Sequence, residues 1–326
     1  MVTKMRVLVT GGAGYIGGTL SRMLMKQGHE VTILDNFCHS RREAVPPGAV
    51  LVEGDIADKP LVEKVLRDGR FDGVMHFAAL IEAGESMKHP EVYFRNNSAS
   101  TLALLESMLA TDHKRLVFSS TAACYGEPET VPIREDARLQ PTNPYGESKL
   151  LVEQMLTWMN RIHGLRYASL RYFNVAGAIE GYGEAHEPES HLIPLILDVA
   201  LGRRASIKVF GEDYPTKDGT CIRDYIHVQD LADAHLLALR ALEEHPRLIY
   251  NIGNGQGFTV REVIDSVRRV TGKTITVEEC PRRPGDPAVL VASSDKIKAE
   301  LGWAPQFAEL DAIVASAWAW HQRRYA

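Results

Sequence analysis

A doubly wound α/β fold, with a parallel sheet wrapped by helices and a smaller mixed α/β lobe beside it, follows from three features of the 326-residue sequence. Through the first half, short and nearly continuous apolar runs alternate with longer segments of helical period, the pattern of strands buried on both faces. The first of these runs leads straight into a glycine-rich turn that opens a helix. After about residue 175 the texture changes to stretches rich in Gly, Pro and acidic residues, notably 176–190 and 211–221. That alternation followed by loops predicts a sheet-forming part and a less regular lobe around a pocket.

Taken in order, "RVLVT" (6–10) predicts the first strand and "YIGGTLSRMLMKQG" (15–28) the first helix, with Gly28 suited to a left-handed end. "EVTILD" (30–35), "AVLVEGD" (49–55) and "DGVMHFAA" (72–79) read as further strands. "SASTLALLESMLATD" (98–112) has helical period, "RLVFSS" (115–120) is again a strand, and "ESKLLVEQMLTWMNRIHG" (147–164) is a helix closing on Gly164. Its first turn is announced by Asn143-Pro144, and "YASLRYFN" (167–174) supplies a strand after it. The expected division is a dinucleotide-binding domain over 1–175, with a return segment at about 224–250, and a substrate-binding lobe over 176–223 and 251–326.

Composition narrows the function. With 45% hydrophobic and 24% charged residues the chain can bury a core without staples. The net charge of −5 is mild and the basic residues fall in scattered pairs such as Arg203-Arg204 and Arg323-Arg324, so nucleic acid is not an expected partner. Cys38, Cys124, Cys221 and Cys280 have no metal-type spacing and read as reduced thiols in the cytoplasm. No stretch approaches the length of an apolar membrane span, and no leader pattern precedes the first strand, so neither membrane insertion nor export is expected. No metal site is expected either.

"TGGAGYIG" (10–17) carries the first chemistry. Gly11, Gly14 and Gly17 allow a tight turn, backbone approach to a diphosphate and close helix packing, with Tyr15 and Ile16 opening a helix whose N-terminus faces the anion. Asp35 ends the second strand, 18 residues past Gly17, where a carboxylate binds adenosine ribose hydroxyls. It repels a 2′-phosphate, which favours NAD over NADP, although Arg41 and Arg42 follow closely. The loop thus predicts a Rossmann-type fold. Asp55 either holds the adenine or caps a turn. A second signal is "PYGESK" (144–149): Tyr145 and Lys149 stand one helical turn apart, close enough for a cation to act on a phenol.

Together with these, "DNF" (35–37), "HFAAL" (76–80), "SSTAACYG" (119–126), "LRYFNVAGA" (170–178), "RDYIHVQDLA" (223–232) and "RRPGD" (282–286) occur in one order along the chain. In that set the sequence resembles the extended short-chain dehydrogenase/reductases and, within them, the UDP-glucose 4-epimerases, over essentially its whole length. The resemblance implies that Tyr145, Lys149 and Thr121 are catalytic. It implies an NAD site that also takes in Asn36, Ile56, Phe77, Ala78, Ala79, Asn96, Ser119 and Phe173. For a UDP-hexose it implies Asn174, His191, Leu192, Val209, Phe210, Arg223, Arg283, Asp286 and Leu290, beside Thr121 and Tyr145. Arg223 has the alternative of pairing with Asp224 or Asp230.

The implied reaction is removal of the 4-hydroxyl proton by Tyr145 with hydride transfer from carbon 4 to NAD, rotation of the 4-keto sugar, and return of the hydride to the opposite face. A charge from Lys149 and the nicotinamide is expected to lower the phenol's pKa. UDP-pentoses, UDP-uronic acids and UDP-N-acetylhexosamines are alternative substrates; the last would be admitted by Leu290, which stands where a tyrosine excludes them. A dehydratase is disfavoured because Ala122 and Ala123 replace the acidic pair it requires, and a non-catalytic NAD-binding protein because Tyr145 is retained. Apolar residues on the helices near 97–111 and 147–162, namely Leu102, Leu104, Leu105, Met108, Leu150, Leu151, Met155, Leu156 and Met159, lead to the expectation of a homodimer.

Overall fold

The computed structural model describes residues 4–283 and 286–326; Pro284 and Gly285 of the "RRPGD" motif lie outside the described residues. The chain falls into two compact units: Met1–Glu127, Arg138–Arg171 and Ala232–Tyr250 in the first, and Pro128–Ala137, Tyr172–Leu231 and Asn251–Ala326 in the second. The stretch 128–137, which the sequence reading left in the dinucleotide-binding part, clusters with the second unit.

Strands β1 (Arg6–Thr10), β2 (Glu30–Asp35), β3 (Val50–Glu53), β4 (Gly73–His76), β5 (Arg115–Thr121), β6 (Arg166–Tyr172) and β12 (Arg247–Ile252) form one sheet in the order β12-β6-β5-β4-β1-β2-β3. β1 pairs in parallel with both β2 and β4, so the strand order reverses beside it. In doubly wound sheets ligands bind outside the carboxyl ends of the strands at this reversal. The glycine-rich turn after Thr10 lies there.

Helices α1 (Tyr15–Lys26), α2 (Lys59–Gly69), α3 (Ala83–Ser86), α4 (Pro90–Tyr93), α5 (Ser100–Ala110), α6 (Pro144–His163) and α8 (Val228–Ala241) connect these strands. α6 begins where its sequence says it should: the Asn143 side chain accepts from the Gly146 amide and Pro144 occupies the first turn. Gly164 closes it in the left-handed conformation at φ 67°. Leu8, Leu34, Val74, Leu116 and Phe118 of the sheet pack with Val62 and Leu66 of α2, Leu104, Leu105 and Met108 of α5, and Val152 and Leu156 of α6. This corrects the surplus read from the sequence. Leu104, Leu105, Met108, Leu150 and Leu156 are buried within the chain itself and are not available to a second copy.

The second unit contains β7 (Asn174–Ala176), β8 (Ala178–Ile179), β9 (Tyr182–Gly183), β10 (Ile207–Phe210), β11 (Ile222–His227), β13 (Gly257–Thr259), β14 (Val277–Cys280) and β15 (Val289–Leu290). With them come α7 (Leu192–Ala200), α9 (Val260–Thr271), α10 (Asp295–Leu301) and α11 (Leu310–Arg324). β11 lies between β7 and β13 and also pairs with β15. Ile193, Ile196 and Leu197 of α7, Val263 and Val267 of α9, and Ile313 and Val314 of α11 make its core. Among the described residues no helix is long and apolar enough to cross a membrane.

Candidate active site

Gly11 takes φ +70°, and a Cβ there would stand 2.6 Å from the Ala78 nitrogen. A Cβ on Gly17 would stand 2.4 Å from the Gly11 carbonyl oxygen. Both positions therefore require glycine. Gly14 caps α1 with extended backbone, with no side-chain cap and no acidic residue in the helix's own first turn, a helix start suited to an anion. Asp35 closes β2 beside this turn. Its carboxylate is buried and accepts from the amides of Ala13 (3.0 Å) and Phe37 (2.9 Å) and from the Ser40 hydroxyl (2.8 Å). Three of about four acceptor positions are thus taken within the protein.

Asn36 is exposed and donates to Asp55 at 2.9 Å, and Asp55 also accepts from the Ala57 amide. Asp55 is thereby both a turn-former and a neighbour of the Asp35 loop. Ile56 is buried in the hydrophobic core. Arg42 is ion-paired to Glu53 and lies over the Phe37 ring, so it already has a partner.

The end of β5 and the start of α6 bring Thr121, Tyr145 and Lys149 together. Burial pushes the Tyr145 phenol up to about 12, with smaller contributions from Cys124 and Glu82, while the neighbouring Thr121 hydroxyl acts in the opposite direction. Lys149 is 3% exposed, donates to the Ser119 carbonyl at 2.9 Å and lies over the Phe118 ring. Burial lowers its pKa to about 8. The sequence reading had Lys149 and the nicotinamide together lowering the phenol. In the protein by itself desolvation is the larger effect on both groups, and the ammonium is directed at a backbone carbonyl.

Phe77, Ala78 and Ala79 follow β4; the Phe77 amide donates to Thr10 at 2.9 Å and its ring packs on His235. His76 is buried between the hydroxyls of Thr10 (2.6 Å) and Thr101 (2.8 Å). Burial, with Lys149 nearby, drives it to about 3, so it is neutral. Asn96 lies in a π-helical turn, Phe94–Ala99, and donates to Asn97. Sequence reasoning missed Asn97, which is buried and ties the Leu80 backbone (2.8 and 2.9 Å) to the Ser148 hydroxyl (3.0 Å).

In the second unit, the Phe173 amide donates to Ile252 at 3.3 Å and Asn174 pairs with Tyr225 across β7 and β11. Arg223, on β11, ion-pairs with Asp286 and donates to the Ile222 carbonyl. Its partner is therefore neither Asp224, which accepts from the amides of Ala292, Asn254 and Gly255, nor Asp230, which accepts from those of Gln306 and Phe307. The Arg283 guanidinium stacks 3.9 Å from the Phe210 ring centre, whereas Val209 is buried in the core. Leu290 is half-buried and lies opposite Arg223 in the β11–β15 ladder. His191 precedes α7, with Leu192 opening it, and its Nδ1 is 2.8 Å from Glu189.

Residues 7–253 match the NAD dependent epimerase/dehydratase family. The chain belongs to that family. It is 56% identical over 318 residues to a UDP-glucose 4-epimerase of Streptomyces lividans, covering 97% of this chain and 96% of that protein. Among solved structures it is similar to the UDP-glucose 4-epimerase from Brucella ovis in complex with NAD, with TM-score 0.94, 42% identity and coverage of 97% and 98% of the two chains. It is also similar to the Bifidobacterium longum enzyme in complex with NAD+ and UDP, with TM-score 0.93, 37% identity and coverage of 98% and 99%.

The cofactor of this family member is NAD, and the first unit fits it. Gly11 and Gly17 form a cradle that any Cβ would fill, at the uncapped start of α1, and Asp35 presents a buried carboxylate at the end of β2.

Proposed function

We infer that the chain is an isomerase that interconverts UDP-glucose and UDP-galactose by inverting carbon 4 through a 4-keto intermediate. The observation that carries this is the convergence of Thr121, at the end of β5, with Tyr145 and Lys149, one turn apart at the start of α6, on an NAD-type scaffold. The relatives named above support the substrate. Bound NAD would supply the acceptor for the carbon-4 hydride and, in its oxidised form, a positive charge in the site. Its diphosphate is held by the loop Gly11, Gly14, Tyr15, Ile16 and Gly17, its adenosine ribose by Asp35.

Tyr145 Oη removes the proton of the sugar's 4-hydroxyl and gives it back after the ring has turned. Thr121 shares a short hydrogen bond with that same hydroxyl and favours the phenolate. Reaching half ionisation at pH 7 from about 12, a value that already includes the Thr121 influence, requires about 7 kcal/mol of further preference for the charged form. Lys149, held by the Ser119 carbonyl, orients the nicotinamide ribose. In the second unit Arg223, Arg283 and Asn174 receive the diphosphate and Phe210, Leu192 and Asp286 the uridine. Arg223 exchanges its Asp286 partner for phosphate oxygens, a task suited to a planar fork.

Incubation of the NAD-loaded protein with UDP-galactose should give UDP-glucose at a sustained rate; absence of conversion would overturn the reading and favour a non-catalytic NAD-binding protein. The working form is a homodimer in the cytoplasm, joined through the outer face of α6. Trp158 and Ile162, 61% and 68% exposed on α6, with the half-buried Leu151, Met155 and Met159, support this.

A further inference from the structure

Behind the catalytic pair lies an ion pair that the reaction does not use. Glu153 of α6 and Arg171 of β6 are 4% and 2% exposed, and Arg171 grips both carboxylate oxygens, with Nε 2.9 and 3.2 Å from them and Nη2 also bonded. A buried pair of this kind adds little net stability, because desolvation of both charges opposes their attraction. Nor is it needed for adhesion: Val152 and Leu156 of α6 already pack with Phe118 and Tyr167 in the core. Its other bonds are more informative. The Ser120 hydroxyl donates to Glu153 Oε1 at 2.6 Å, and Arg171 Nη1 donates to the Tyr125 hydroxyl at 2.9 Å. Ser120 precedes Thr121 and Tyr125 follows it by one turn, so the segment carrying Thr121 is held on both sides by the same charges. On α6, Tyr145, Lys149 and Glu153 fall on one face at successive turns.

We propose that Glu153 is a positioning residue: acting through Ser120, it fixes the end of β5 against α6 and so sets the approach of Thr121 to Tyr145. This rests on the reading of Tyr145 as the acid/base group. The groups facing the phenol from the packed elements are Thr121, Cys124 and Glu82, and only the Thr121 hydroxyl favours its ionised form. Displacing Thr121 therefore weakens catalysis and raises the pH at which the phenol ionises.

Ser120→Ala removes the Ser120–Glu153 bond and leaves the ion pair whole. It should lower kcat about tenfold or more, since a misplacement of about 1 Å is enough for such a loss. KM and bound NAD should stay within about twofold, and the acidic limb of the kcat profile should move up by about half a unit to one unit. Ultraviolet difference titration of the NAD-loaded protein, with Tyr145→Phe as reference, should show the same displacement. Ser120→Thr, which returns the hydroxyl, should recover most of the rate. As a second arm, the joint replacement Glu153→Met and Arg171→Met removes both charges, and should keep or raise the melting temperature while losing kcat to a similar degree. Wild-type kcat and an unmoved acidic limb in Ser120→Ala would overturn the proposal, as would activity lost only in proportion to folded protein. Full activity in Tyr145→Phe would instead overturn the reading on which it rests.

Discussion

Tyr145 shows what a sequence motif carries and what it leaves out. Its spacing from Lys149 and the Asn143 cap place it in the first turn of α6, and both features are local enough to read from the chain. The electrostatic balance is not local: burial moves the phenol to about 12 and the ammonium to about 8, and burial depends on what β5 and the 122–125 turn bring against α6. Tyr145→Phe should keep NAD bound and the protein folded while turnover falls about 100-fold or more; near-normal turnover would remove Tyr145 from its role. Arg223 was legible as a cation among ligand residues, but its ion-pair partner Asp286 lies 63 positions away, beyond any local pattern. Leu290 lies opposite Arg223 in the ladder, and on the proposed reading it stands beside carbon 2 of the sugar, where a tyrosine would occupy more space. Weak turnover of UDP-N-acetylglucosamine is expected, because a loose fit costs only about 1–3 kcal/mol. Leu290→Tyr should abolish that activity alone, and the comparison of kcat/KM for the two sugar pairs decides it.

At the scale of elements, β1 to β6 and α1, α5 and α6 were readable because each has a full apolar run or a capped end, whereas β12 lay inside a return segment read only as a whole. The stretch 83–99 was not. It breaks into two four-residue helices and a π-helical turn, too short for periodicity to register, yet it holds Asn97, whose side chain joins the segment after β4 to α6. The β8–β9 hairpin was likewise read as loop, since two residues per strand leave no alternation. The helix faces assigned to a partner copy were misjudged because composition cannot tell the core side of α5 from its outer side. What remains outside is concentrated on α6, at Trp158 and Ile162. Replacing both by glutamate should convert a dimeric mass to a monomeric one in light scattering at micromolar concentration; a wild-type monomer, or a dimer unaffected by the change, would place no interface there.

Over the whole molecule, buried titratable groups set an acid limit. His76 and His227 are held neutral by burial, at about 3 and about 4 in the folded chain, whereas unfolded histidine titrates near 6.5. Their contribution is fully present above about 6.5 and is lost as pH falls toward those values. Asp224 acts in the opposite sense, raised by burial to about 6, so it takes up a proton in the folded state first. Between pH 6 and 4 two histidines therefore oppose one carboxyl, and these three groups together should lower stability on acidification by about 1.4 kcal/mol per pH unit. His29, His113 and His321, also lowered by burial, act in the same sense. Denaturant unfolding across that range measures the slope; a flat or inverted profile would contradict it. The division into units has a separate outcome for biosynthesis. The first unit draws its last piece from Ala232–Tyr250, which includes most of β12 at the sheet edge beside β6. Neither unit is written as one uninterrupted stretch of gene. On the ribosome the dinucleotide-binding sheet stays unfinished until Tyr250 has emerged, and a fragment ending at 175 would leave β6 as a bare edge, open to pairing with other nascent chains.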